Sequence, residues 1–353
     1  GYITQEIQVG YQTSFKVVLK DDTKTLDEII VVGYGSQKKA NLTGAVSSVK
    51  MDEALGDRPL LNAADALQGA VPGLFVSNGG NAPGTSKSFQ IRGAYSLGVK
   101  NSDGTYGNTI KPLVLIDNVE GDIDMINPED IESISMLTGP SAAALYGNAA
   151  AAGVVLITTK KGSADKTSVT VSNNTTFSKV SMMPEMQSKY GNLPNSLDSW
   201  GPIVNSDYDP RDFFQTGANV INSFALSTGN KKNQAYLSAS TTNTTNILPN
   251  SGYNRYNFTV RNTTSFLKDK MTLDAGASYI LQNDKNMMSQ GYYYNPLPGL
   301  YRFPRSENFD DVRMFERYNS GMDLMEQYWP YGGTSSGLAN PYWIQNRQLR
   351  ENK

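Results

Sequence analysis

Polar and apolar residues alternate along much of the second half of the chain. Thr170, Ser172, Asn174, Thr176 and Ser178 share one face of a segment whose other face carries Val169, Val171 and Phe177. Tyr256, Phe258 and Val260 interleave with Arg255, Asn257, Thr259 and Arg261. Met271, Leu273, Ala275, Ala277 and Tyr279 interleave in the same way with Thr272, Asp274, Gly276 and Ser278. A period of two is that of a strand with one apolar and one polar face. Weaker segments at residues 220–228 and 234–242 bring the expectation to about five strands, each near the 9 to 11 residues that cross a bilayer as part of a barrel. Polar residues and the arginines would face the lumen, aromatics and aliphatics the outside.

The first half reads differently. Residues 41–162 alternate short strand signals with short helix signals, which predicts an α+β domain. Asn62 is placed to cap a helix running through Ala63, Ala66 and Leu67 towards Gly69, and Pro72 with Gly73 turns the chain into a strand at 74–77. Further strands are expected at 89–92, 113–116, 131–137 and 154–159. Asn127, Pro128, Glu129 and Asp130 read as a cap, a first-turn proline and two acids, which predicts a short helix. A second is expected at 141–146, with Gly147 suited to its end. Before Thr25, Phe15, Val17 and Leu19 alternate in a strand too short to be stable alone. From Tyr292 onward the chain reads as long loop.

Composition narrows the chemistry. Among 353 residues there is no cysteine and no histidine, and the net charge is -2. That removes disulfides, thiolate metal sites, the commonest metal ligand and the commonest general base, so neither a metal nor a cofactor nor a catalytic triad is expected. The charge gives no basic excess to attract nucleic acid. No apolar run is long enough for a membrane helix, a test that says nothing against a barrel. Starting at Gly1 without a signal peptide, the chain is expected to be a mature or trimmed form.

The segment IIVVGYGSQK, with Gly33 and Gly35 after a strand, begins like a dinucleotide fingerprint, but Lys38 stands where the third glycine should be and no helical period follows. The same segment makes sense as an extended peptide that adds a strand to a partner's sheet edge, with its β-branched run flanked by two acids. Behind it come, in order, LTGAVSSV, NAADALQGAVPGLFV, QIRG, PLVLIDNV, INPEDIESISML, SAAALYG and GVVLITTKKG. This ordered set resembles the N-terminal half of TonB-dependent outer-membrane receptors of the SusC-like type. Departures are small: Thr138, Gly139 and Pro140 replace a common Lys-Asp-Ala, and the turn at Asp117 and Asn118 more often carries glycine.

The resemblance implies an organisation. Residues 1–25 would be the tail of an immunoglobulin-like regulatory module, 26–40 a TonB-box-like segment and linker, 41–162 the plug domain, and 163–353 the first strands of a large transmembrane β-barrel with a long extracellular loop. It implies no enzyme, but TonB-dependent import of a nutrient, most often a glycan and in some relatives a peptide, across the bacterial outer membrane. Asp27, Glu28, Ile29, Ile30, Val31 and Val32 would bind TonB, a SusD-like surface lipoprotein would form a lid, and outer-membrane lipid would surround the wall. Arg92 would face wall carboxylates and lock the plug. Asn78, Asn81, Asn101, Asp103 and Tyr106, on loops rich in Gly, Asn and Ser, are candidates to touch substrate, as is Trp329. Such barrels close with roughly 22 strands, so the chain is expected to be part of a longer barrel. The rival reading is a secreted or surface-anchored β-rich glycan-binding protein without transport. An enzyme built on Asp207, Asp209 and Asp212 comes third, since an Asp/Pro loop explains those residues.

Overall fold

The computed structural model describes residues 29–32, 35–38, 46–55, 60, 62–78, 87–93, 99–100, 106–107, 111–138, 140–194, 196–288, 294–331 and 338–352. The expectations for residues 1–25 and for Asp27, Glu28, Asn81, Asn101 and Asp103 fall outside these. Strands β1 (Ile29–Val32) and β2 (Gly35–Lys38) form an antiparallel hairpin with Ile29 opposite Lys38. A second strand thus stands where a dinucleotide fold would start its helix.

The next elements are β3 (Val46–Lys50), α1 (Met51–Leu55), α2 (Ala63–Leu67), β4 (Leu74–Asn78) and β5 (Lys87–Ile91). The two-residue strands β6 (Val99–Lys100) and β7 (Tyr106–Gly107) follow, then β8 (Leu113–Ile116), β9 (Val119–Glu120), β10 (Ile131–Leu137), α3 (Pro140–Tyr146) and β11 (Val154–Thr159). Five of these strands make one sheet in the order β3-β10-β11-β8-β9. Its core lies on both faces. Ile134, Met136, Val155 and Ile157 pack beneath α1, α2 and the β4–β5 hairpin, while Leu137, Val154 and Leu156 pack with Ala142 and Ala150 on the other side. A sheet covered twice needs apolar residues at successive positions, which is why β11 reads VVLI without alternation. Each fully buried aliphatic side chain contributes about 1.5–3 kcal/mol. Asn62 caps α2 as expected, its side chain accepting from the Ala64 amide at 2.8 Å.

The wall follows as β12 (Ser168–Ser178), β13 (Gly217–Gly229), β14 (Asn233–Thr245), β15 (Gly252–Phe266) and β16 (Met271–Lys285), an antiparallel meander in sequence order. The faces are the ones alternation predicts. Val171 and Phe177 are each 73% exposed, Phe258 47% and Tyr279 67%, whereas Arg255 is 4% and Asn257 8% exposed. Ser223, Ser238, Ser240 and Thr242 are buried on the polar face. Short turns at 230–232 and 267–270 close one end of this sheet. At the other end the connections run over 179–216, 246–251 and 286–350, the asymmetry of an outer-membrane barrel.

Where the sequence from Tyr292 onward reads as long loop, the described residues 294–331 and 338–352 hold regular elements. They build α4 (Leu297–Tyr301), a 3-10 turn at Phe309–Arg313, the hairpin β17 (Glu316–Asn319) and β18 (Leu324–Gln327), α5 (Pro341–Asn346), and β19 (Glu351–Asn352), which joins the edge of β16. Phe213, Leu248, Leu300, Phe303, Phe309 and Val312 form the core that unites all three long connections. Arg305, 7% exposed, lies over the Tyr208 ring at 4.9 Å and donates to the carbonyl oxygens of Gln187 and Tyr301. Asp209 caps a 3-10 turn at Pro210–Phe213 through the Arg211 amide at 2.9 Å, the bland role expected of an Asp/Pro loop. Burial pushes the Tyr331 phenol up to about 12 and raises Tyr208 as well, so both stay neutral at physiological pH.

The plug and wall contact as candidate functional site

The α+β domain sits against the polar face of the wall, and two short segments make the polar contacts that stand out there. The first is the Asn127-Pro128-Glu129-Asp130 turn. Asn127 accepts from the Glu129 amide at 3.3 Å and Pro128 fills the first-turn position. By sequence pattern the two acids are helix-start residues. Their side chains do more: Ser172 of β12 donates to Glu129 Oε1 at 3.2 Å, and Asp130 reaches two further strands. Tyr236 of β14 donates its hydroxyl to Asp130 Oδ1 at 2.9 Å, and Thr259 of β15 donates to Oδ2 at 3.0 Å. Asp130 is 3% exposed. A buried carboxylate is tolerable because both oxygens are hydrogen-bonded, each such charge-assisted bond contributing about 1.5–3 kcal/mol.

The second segment is the turn between β8 and β9. Asp117 and Asn118 hold left-handed backbone conformations, φ +46° and +72°. Asp117 accepts from the Thr159 amide at 3.0 Å and from Arg261 Nη1 of β15 at 2.9 Å. Arg261 also clasps Asp274 of β16 with two prongs, Nε to Oδ1 at 2.8 Å and Nη2 to Oδ2 at 2.7 Å. Lys161, in the linker to the wall, meets Asp274 at 2.9 Å. Positive and negative charges therefore alternate from Asp117 through Arg261 and Asp274 to Lys161. Between this network and Asp130 lies a cavity of about 530 Å³ with an apolar side at Ile116, Met125 and Ile280 and a polar side at Asn257, Thr259 and Ser278.

These two docking points seat the α+β domain on the hydroxyl-rich face of the wall. The model of the TonB-dependent Receptor Plug Domain family matches residues 38–154. The TonB-dependent receptor SusC of Bacteroides thetaiotaomicron is 32% identical across 97% of this chain and 34% of its own length. Residues 38–154 are a plug domain of the TonB-dependent receptors. TonB-dependent receptor P26 of Formosa agariphila gives a similar match, 32% identical over 88% of the chain and 33% of that protein. The chain thus spans about a third of the length of these relatives. The structure of the RagAB peptide importer in the 'open-open' state superposes with a TM-score of 0.65 at 22% identity, over 90% of the chain and 38% of that one. At that identity the likeness is one of fold: an α+β plug followed by barrel strands. A plug followed by strands with an apolar outer face is the architecture of an outer-membrane receptor. The short turns of its wall then face the periplasm and the long connections the outside.

The residues singled out in the sequence are spread over the receptor. Ile29, Ile30, Val31 and Val32 form β1, Asn78 ends β4 and Tyr106 starts β7. Arg92 is exposed, at φ +56°, with its amide bonded to the Gly73 carbonyl at 2.7 Å, and its guanidinium has no ion-pair partner among the described residues. Trp329 packs edge-on to Tyr331 at 5.4 Å in the core of the external connections. Nothing in the sequence marks Asp117, Glu129, Asp130, Lys161, Tyr236 or Asp274 as a docking residue. Alternation places Arg261 and Asp274 inside; what they touch there carries no sequence signal.

Proposed function

We propose that this receptor imports a nutrient across the outer membrane, with the plug as its gate and TonB as its energy source. The observation that carries the reading is the pair of plug contacts on the lumen face, at Asp130 and at Asp117, which hold the plug in place with a few exchangeable polar bonds. TonB would take hold near Asp27 to Val32 and pull. Arg92 would meet wall carboxylates on strands beyond those present here, and Asn78, Asn81, Asn101, Asp103, Tyr106 and Trp329 would contribute to the substrate path. A SusD-like surface lipoprotein would close over the long connections. A glycan is the cargo we favour, and the likeness to a peptide importer keeps peptides as the second. The rival, a secreted glycan-binding protein, leaves the apolar outer face of five successive strands without a purpose.

Deleting residues 27–32 from the full-length receptor in intact cells is expected to abolish uptake while surface level and substrate binding stay as in the parent. Undiminished uptake would take the TonB role away from this segment and favour a passive pore.

A further inference from the structure

The turn at Asp117 and Asn118 invites a question of cost. Left-handed backbone disfavours any residue with a Cβ, least Asp and Asn, and glycine would avoid the cost. What glycine cannot supply is the carboxylate. Asp117 uses it to tie the β9 side of the plug sheet to Arg261 on the wall, at the periplasmic end of the lumen.

We propose that Asp117 and Arg261 form a reversible latch that sets the resting closure of the gate. This deepens the import reading and rests on the plug being a gate. The latch is asymmetric. Asp274 holds Arg261 with two prongs, through Nε and Nη2, whereas the plug shares the single nitrogen Nη1 between Asp117 and the hydroxyl and carbonyl of Thr159, so the plug side is the arm that releases. Release leaves no naked charge behind, because Asp274 continues to neutralise Arg261, whose side chain is only 11% exposed. Removing a partner from a buried ion pair is ordinarily expensive for just that reason, and the third member of this network removes the expense. Asp117 departs with Thr159, which bonds its carboxylate and belongs to the plug. Asp117 also lines the cavity beside the turn.

The test uses the full-length receptor in cells lacking TonB, so that it reads closure alone and its outcome is separate from that of the uptake experiment. Entry of a large glycopeptide antibiotic, normally excluded by the outer membrane, is measured for D117N, R261Q, the double variant and N118G, with surface levels and heat-modifiability matched to the parent. D117N and R261Q are each expected to raise entry by about tenfold, and the double variant by no more than the larger single effect, because the Asp117–Arg261 contact is lost in each and cannot be lost twice. N118G keeps the carboxylate and relaxes the turn, so its entry stays at the parental value. Parental entry in both D117N and R261Q, or effects that multiply in the double variant, would overturn the latch.

Discussion

Receptor carrying the S48C/S135C pair is expected to stop importing once oxidised and to resume on addition of a reductant. Strand β3 is the first strand of the plug sheet after the pulled segment and lies at the sheet's edge, paired to β10 alone. Tension applied through residues 27–32 therefore arrives at β3 before any other strand of that sheet. Ser48 and Ser135 are directly opposite in the register, with their hydroxyl oxygens 3.1 Å apart, so two cysteines there have sulfurs within reach of each other. The chain has no cysteine of its own to interfere. Each single substitution should import normally. Oxidised double variant should fall to the level of the 27–32 deletion, read as substrate accumulation per receptor at the surface. Full import with a quantitative disulfide would show that β3 stays on β10 and that the path opens by another movement.

The second large effect concerns the outer face. Phe258 lies mid-way along the 15 residues of β15, between Ala239 and Tyr279 on its neighbours, and points away from the plug. An arginine there would sit near the middle of the hydrocarbon, where it costs about 2–4 kcal/mol. F258R is expected to cut the heat-modifiable, folded receptor at the surface by tenfold or more and to lower the urea midpoint of unfolding in bilayers. On a water-exposed strand the same change would be neutral. Unaltered folding of F258R would therefore argue against a lipid-facing wall and for the secreted rival.

Much of this architecture is legible in the sequence because burial on one face leaves a period. The wall strands were found at their centres and lengthen on folding: the segment expected at 234–242 extends to Asn233–Thr245 once a partner strand satisfies its ends. In the plug, β8, β10 and β11 match their expected limits, since Gly, Pro or Asn punctuates both sides. The docking contacts were not legible. Asp130 and Tyr236 are 106 residues apart, and neither residue carries a mark of the other. The external core escaped for a related reason. Phe303, Phe309 and Leu248 are buried by aromatic packing among irregular segments, where no repeat announces which side chains turn inward.

The docking residues described above come from the plug, its linker and the wall strands; the core around Phe303 is drawn from the long connections. The two sets share no residue. Selection can then rewrite the external connections, by insertion, deletion or exchange between related genes, without retuning the force at which the gate yields. Under the proposed import function, a lineage that meets a new nutrient has only the mouth of the receptor to redesign.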